Sequence, residues 1–408
     1  MVRVLFIHPD LGIGGAERLI VDAALALKSK GHIVSFLTNH HDRNHCFEET
    51  RNGMFPVKTV GDWLPRSIFG RFYAFCAYFR MVYAAFYASF VMSKEEKIDI
   101  IFSDSISVAI PILKLARNTP KILFYCHFPD QLLSAKGGFL KQIYRAPLNY
   151  FEEFTTGRAD KVFVNSKFTL RIFCETFQRL NIIPNVLYPS LNTAFFDSKA
   201  SGDSKNVLLG ISPEAFVYLS MNRYERKKNH GLAIEALHKL KTTLSRKDWS
   251  SCYLVIAGGY DTRVLENVEY HKELQVLAKQ LDVEDNVIFL RSLSDEDKIA
   301  LLKRINCLLY TPENEHFGIV PLEAMYMEKP VIALNSGGPT ETVVNESTGF
   351  LVEKDVGEFS GAMLKLFNDR KLCQTMADRG RKRVVQKFSF EAFSERLHEI
   401  VEEMVFNK

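Results

Sequence analysis

The chain has no CxxC pair among its seven cysteines. Cys46, Cys76, Cys126, Cys174, Cys252, Cys307 and Cys373 stand singly, which argues against a disulfide framework and a structural zinc site and points to a reduced, cytosol-facing protein. A charge excess of one sign is lacking too. Fifty-two Lys and Arg against 48 Asp and Glu leave a net charge of +4, too balanced for a surface that wraps nucleic acid. No leader-like apolar run opens the chain. MVRVLFIHPD reaches Asp10 and a glycine-rich turn too early for a signal peptide and reads as a first strand. The triplet Asn345-Glu346-Ser347 is of a kind expected by chance, and a cytosolic chain does not use it. What is abundant is aromatic: 32 Phe and 15 Tyr, crowded into the first half.

At 408 residues, 47% of them hydrophobic and 25% charged, the chain is a folded protein with enough length for two cores. Residues 3–7 form an apolar run, followed by Gly12, Gly14 and Gly15, a helical pattern (Leu19, Ile20, Ala23, Ala24, Leu27), Gly31 and a second run over 33–37. Strand, glycine turn, helix and strand open an α/β sheet unit. Further strands are predicted at 98–102, 121–126 and 161–164. A polar stretch over 189–206, ending in Ser201-Gly202-Asp203-Ser204-Lys205, suits a linker. A second series follows at 216–220, 253–257, 287–290, 307–310 and 331–334. The predicted fold is α/β, two doubly wound Rossmann-like domains facing a cleft, over residues 1–195 and 196–385. Residues 386–408 form a closing amphipathic helix that needs something to pack on. Ligands of such sheets sit beyond the carboxyl ends of the strands.

Phe72–Met92 is a run of 21 residues with one charge, Arg80, in its middle. It is long enough to cross a bilayer, but a central Arg costs roughly 2.5–3.5 kcal/mol on insertion. Three readings stay open: a buried helix of the first domain, a helix in the membrane interface with Arg80 snorkelling from an aromatic face, and a true span. Arg66, Arg71 and Lys94 flank it and suit anionic headgroups.

Gly14 and Gly15 sit where missing side chains let a diphosphate or sugar approach helix-start amides. A dinucleotide fingerprint would need a further glycine where Arg18 stands and an acid after the second strand, where the chain reads Leu37-Thr38-Asn39-His40. An NAD enzyme is therefore disfavoured. After the strand ending at Ser220 comes Asn222-Arg223-Tyr224-Glu225-Arg226-Lys227-Lys228, a basic turn suited to phosphate oxygens; the plain alternative is a solvated turn. Gly258-Gly259 follow the next strand. Then Glu315, Phe317, Gly318, Ile319, Val320 and Glu323 span a loop and a helix start, where free amides and two carboxylates can meet phosphate and vicinal hydroxyls. Asp295-Glu296-Asp297 resembles a metal motif but reads as the start of a polar helix, so no metal site is predicted.

This arrangement resembles the retaining two-domain glycosyltransferases of the GT-B fold, the large family that includes sucrose and glycogen synthases. The likeness runs nearly end to end and rests on Glu315 and Glu323 with Phe317-Gly318 between them, Arg223, Lys228, Gly14-Gly15 and His127 in Cys126-His127-Phe128-Pro129-Asp130. More narrowly, HPDLGIGGAERL, YCHFPDQLL, NRYERKKN and TPENEHFGIVPLEAMYM look like the dolichol-pathway mannosyltransferases that add the second and third mannoses of the N-glycan precursor. The resemblance implies GDP-mannose as donor, no required cofactor, and mannosyl-chitobiosyl-diphosphodolichol as acceptor. It further implies α1,3 and then α1,6 transfer at the cytosolic face of the endoplasmic reticulum membrane. Assembly with other early dolichol-pathway mannosyltransferases and no nucleic-acid partner complete the expectation.

On the same resemblance, residues 1–195 bind the acceptor and 196–385 the nucleotide sugar. Glu315 sits by the transferred sugar, Glu323 holds the ribose, Arg223 and Lys228 meet the diphosphate, and His127 lies beside the reaction centre. Yeast relatives carry additional hydrophobic segments toward the C-terminus, and this chain has none, which moves the membrane burden onto 72–92. The residues name no pair of carboxylates suited to a covalent intermediate, so front-face attack is the expected route to retention. The rivals are a hydrolase or epimerase using the same pockets, and a membrane adaptor descended from a transferase. The intact Arg223, Lys228, Glu315 and Glu323 speak against the adaptor.

Overall fold

The computed structural model describes residues 1–133, 138–200, 208 and 210–406. They fall into two units, Met1–Ser190 with Phe390–Lys408, and Leu191–Ser389. The polar run 201–205, expected as linker, lies outside the described residues. Just before it, Thr193–Ala200 is a helix where composition alone predicts loop.

The first unit is built on β1 (Arg3–Asp10), β2 (Ile33–His40), β3 (Val57–Thr59), β4 (Ile100–Asp104), β5 (Lys121–Cys126), β6 (Lys161–Val164) and β7 (Asn185–Val186). They form a parallel sheet in the order β3-β2-β1-β4-β5-β6-β7. Alternation along β1 makes the sheet two-sided. Val4 and Phe6 pack with Leu19, Ile20 and Ala23 of the helix Gly15–Ser29. Leu5 and Ile7 pack on the other face with Met81, Ala84 and Ala85 of the helix Tyr73–Tyr87. The helix Phe390–Phe406 finds its partner here. Phe393, Leu397, Ile400, Val401 and Met404, at helical spacing, join the Leu19–Leu27 stripe, and Glu403 pairs with Lys161 at 2.9 Å.

The aromatic segment is a helix with two faces. Cys76, Tyr78, Met81, Ala84 and Ala85 are buried, whereas Tyr73, Phe75, Phe79, Tyr83, Phe86 and Phe90 are exposed. Arg80 does not snorkel. It is 7% exposed, and its guanidinium donates to the Asn39 carbonyl at 3.0 Å and to Asp62 at 3.3 Å, while Asn39 donates back to the Arg80 carbonyl at 2.9 Å. The charge that would be costly in a bilayer instead ties this helix to the carboxyl end of β2. Tyr73–Glu95 is the one helix among the described residues long and apolar enough to cross a membrane. Spanning would strip its buried face from the sheet.

The second unit carries β8 (Phe216–Met221), β9 (Cys252–Gly258), β10 (Val287–Arg291), β11 (Cys307–Tyr310), β12 (Val331–Leu334) and β13 (Gly349–Val352). These are all parallel, in the order β10-β9-β8-β11-β12-β13. In both sheets the chain runs outward from a central strand, then returns to its other side. The returns place topological switch points at the carboxyl ends of β1 and β4 and of β8 and β11, where crevices open.

Candidate active site

At the β8/β11 switch point the segments singled out by sequence come together. Lys228 follows β8 and forms an ion pair with Glu315, in the loop after β11. The Lys228 carbonyl accepts from the Thr311 hydroxyl at 2.8 Å. Gly318 caps the helix Ile319–Tyr326 in the left-handed region, φ +79°, a conformation that glycine adopts without strain. The loop carrying Glu315 and Phe317 lies directly on Gly337-Gly338. A Cβ on Gly337 would sit 2.4 Å from the Glu315 carbonyl oxygen, and one on Gly338 2.2 Å from that of Phe317. Those glycines therefore position the Glu315 loop by letting two backbones touch.

Arg223 is the most open member, its side chain 63% exposed and held by Glu225 at 2.8 Å. With Asn222, Gly258, Gly259, Ser292, Leu293, Lys298, Val320 and Glu323 it lines a cavity of about 250 Å³. The two glycines there differ in role. A Cβ on Gly258 would meet the Asn222 carbonyl at 1.7 Å, so that position serves the crossing of the β8 and β9 turns, whereas Gly259 makes room for the Arg223 side chain, 3.3 Å away. Glu323 is buried, and Lys298 donates to it at 2.8 Å. Burial raises the Glu323 carboxyl above its ordinary value, and Lys298 opposes the rise. Ser292, Leu293 and Lys298 escape sequence reasoning, because Lys298 looks like any solvated charge on the helix Asp295–Arg304. That helix starts as expected: Ser294 accepts from the Asp297 amide at 3.1 Å.

His127 belongs to the first unit, directly after β5. Its Nε2 lies 2.9 Å from Asp104 at the end of β4, and the same carboxylate is 2.8 Å from Nδ1 of His8 on β1. Neither His8 nor Asp104 is found by sequence spacing. Their signal is positional, since polar residues end three adjacent strands otherwise buried on both faces. Gly14 and Gly15 lead into the helix Gly15–Ser29. The Gly15 side is open, but a Cβ on Gly14 would fall 2.3 Å from the Glu17 carboxylate.

One group of metal-capable side chains, His32, His398 and Glu402, comes together among the described residues. It lies at the amino end of β1, where the Val2 amide donates to Nδ1 of His32 at 3.2 Å. That leaves the proton on Nε2, which faces Nδ1 of His398 at 2.9 Å, a hydrogen-bonded pair complete without an ion.

The group 1 glycosyl transferase family matches residues 206–383, and glycosyltransferase family 4 matches residues 13–190. The chain is 52% identical to alpha-1,3/1,6-mannosyltransferase ALG2 of Homo sapiens over 405 residues, covering 98% of this chain and 96% of that one. It is 46% identical to its namesake in Dictyostelium discoideum over 99% of this chain and 98% of that one. Among solved structures, a glycosyltransferase of Rickettsia africae superposes with a TM-score of 0.75 at 21% identity, covering 100% of this chain and 99% of that one. A sucrose-phosphate synthase of Thermosynechococcus elongatus gives 0.72 at 20% over 99% of both. At those identities the structures speak to the fold alone, two Rossmann-like domains of the GT-B kind. The two matched halves, and identity to relatives along nearly the whole length, place this chain in the alpha-1,3/1,6-mannosyltransferase family of glycosyltransferases.

Proposed function

We propose that this chain transfers mannose from GDP-mannose to mannosyl-chitobiosyl-diphosphodolichol, making first an α1,3 and then an α1,6 linkage at the cytosolic face of the endoplasmic reticulum. The observation that carries the reading is the convergence of Arg223, Gly259, Lys298 and Glu323 around one cavity, beside the Lys228–Glu315 pair, in a chain 52% identical to an alpha-1,3/1,6-mannosyltransferase. The second unit holds the donor. Glu323 accepts hydrogen bonds from vicinal hydroxyls of the ribose, and Arg223 with Lys228 meets the diphosphate. As GDP leaves, charge grows on its β-phosphate, and fixed cations already in place stabilise that charge without reorganising. Lys228 exchanges Glu315 for phosphate when donor binds, freeing the carboxylate for the mannose. Attack comes from the leaving-group face, and a phosphate oxygen takes the proton of the acceptor hydroxyl.

The first unit takes the acceptor, whose polyprenyl chain stays in the bilayer. Two neighbouring helices of that unit expose apolar side chains: Tyr73, Phe79 and Phe86 on one, Phe139, Leu140 and Ile143 on the other. They touch through the rings of Phe72 and Tyr144, 5.2 Å apart. This surface suits docking in the headgroup region, with the buried face of Tyr73–Tyr87 kept in the protein. The deciding experiment is mass analysis of the product formed from a synthetic lipid-linked trisaccharide with each nucleotide sugar in turn. Two hexoses added with GDP-mannose alone is the expected result, and transfer from UDP-sugars instead would overturn it.

A further inference from the structure

The carboxyl ends of β1, β4 and β5 and the helix Gly15–Ser29 together carry a chain of four ionisable side chains that the transfer mechanism above does not use as a unit. Asp104 is wholly buried. Its carboxylate lies 2.8 and 3.0 Å from Nδ1 of His8 and 2.9 Å from Nε2 of His127, and it accepts from the Ser105 hydroxyl at 2.9 Å. On the far side of His8, Nε2 is 3.7 Å from the Glu17 carboxylate. No lysine or arginine pairs with Asp104 among the described residues, so its buried charge is balanced by an imidazole. His8 is the one placed to do so, flanked by carboxylates at both nitrogens. Burial works against its imidazolium, but Asp104 and then Glu17 prevail and push its pKa up to about 10. Both His8 nitrogens therefore carry protons at neutral pH, Nδ1 donating to Asp104 and Nε2 facing Glu17 as an ion pair, and Asp104 stays an anion.

That state fixes His127. An anionic Asp104 can only accept, so the proton of a neutral His127 ring sits on Nε2, and Nδ1 is left with its lone pair. The His127 side chain is 22% exposed. We infer that Glu17, His8 and Asp104 are positioning residues that hold His127 as the Nε2–H tautomer, so that Nδ1 accepts a hydrogen bond from a sugar hydroxyl. The inference rests on the reading that His127 lies beside the reacting sugars. It also gives the glycine turn a second purpose: Gly14 lacks a side chain where the Glu17 carboxylate must lie to reach His8, and Ala at that position would push away a flexible acid rather than a backbone.

The test pairs a spectroscopic and a kinetic readout. Nitrogen-15 imidazole spectra of the whole enzyme, with the His127 signal assigned by its loss in H127Q, should show a protonated Nε2 and a bare Nδ1. In D104N the Asn amide can donate to Nε2 and move the ring proton to Nδ1. The tautomer should then invert, and turnover should fall about twofold to tenfold, the worth of one hydrogen bond between neutral groups, with donor KM little changed. G14A and E17Q should weaken turnover less while the melting temperature holds. A bare Nε2 in the wild type, or the same tautomer in D104N as in the wild type, overturns the relay. If the tautomer inverts as expected while H127Q transfers mannose at the full rate, the relay stands and the placement of His127 at the reaction centre is what fails.

Discussion

Lys298 donates to Glu323 across 2.8 Å although 25 positions separate them in the chain. The contact links the helix Asp295–Arg304 to the helix Ile319–Tyr326 and gives a buried carboxylate its counter-charge. Removing the ammonium alone strands that carboxylate. K298A should lower stability by about 1–3 kcal/mol and weaken GDP binding, read by chemical denaturation and calorimetry. K298A/E323A should recover the stability but not the binding, because the uncompensated charge leaves with its partner.

Arg223 and Lys228 should matter more as charge develops on the leaving group than when the donor first binds. R223A and K228A should each lower kcat by about 2–4 kcal/mol of barrier with a smaller change in donor affinity. Steady-state kinetics at saturating acceptor read both quantities, and an unchanged kcat for K228A would sink this account of the basic turn.

Because those cations already face the proposed diphosphate site, transfer should survive chelation. Metal-stripped enzyme with excess EDTA, in detergent that keeps the acceptor dispersed, should retain its rate. A loss reversed only by Mn²⁺ or Mg²⁺ would show that the donor is held through an ion.

The two faces of Tyr73–Tyr87 should separate membrane binding from folding. Y73E, F79E, F86E and F90E add charge to side chains already in solvent, so melting should change little while vesicle binding falls. Transfer to the lipid-linked acceptor should fall with it, and transfer to a short water-soluble acceptor should remain. M81E places a charge in the sheet core and should unfold the first unit. Retention of all four surface variants on vesicles would move the docking site elsewhere.

Stability should also depend on pH through His230. It is buried, with Ser220 at 2.8 Å from Nδ1 and the Asn222 carbonyl at 3.2 Å from Nε2, and burial lowers its pKa from 6.5 to about 4. Between those values the unfolded chain binds the proton and the folded one does not. Stability is therefore full above pH 6.5 and is lost as pH falls toward 4, by about 3 kcal/mol. Urea unfolding across that range should show the loss in the wild type and less of it in H230Q.

Much of this fold is legible in the sequence because parallel strands buried on both faces are unbroken apolar runs bounded by turns. β5, β6, β11 and β12 carry the expected boundaries, 121–126, 161–164, 307–310 and 331–334. The strands that escape notice are β3, β7 and β13, all at sheet edges: β3 and β7 are only three and two residues long, and β13, as long as β6, opens on Gly349 and is only half buried. The candidate-site residues of the second unit are legible where local chemistry is dense, in the basic turn and the two glutamates. Lys298 and Asp104 are not, since their meaning comes from partners that only the tertiary structure supplies. Arg80 stays ambiguous for the same reason: a charge in an apolar run allows a buried helix, an interfacial one or a span until Asn39 and Asp62 are seen to receive it, which selects the helix packed on the first domain.

The packing of Phe390–Phe406 on Gly15–Ser29 has a consequence for biosynthesis. The first unit is interrupted in the chain by the whole of Leu191–Ser389. At about 5–20 residues per second, the apolar stripe from Leu19 to Leu27 waits some tens of seconds on the ribosome before its cover is made. The second unit is contiguous and can fold as soon as it emerges, so the unit born first is the one completed last. In that interval the apolar stripe of Gly15–Ser29 stays open on one face of the first sheet while the exposed aromatic side chains of Tyr73–Tyr87 lie on the other, so the half-made chain offers sticky surface on both sides, the kind that chaperones cover.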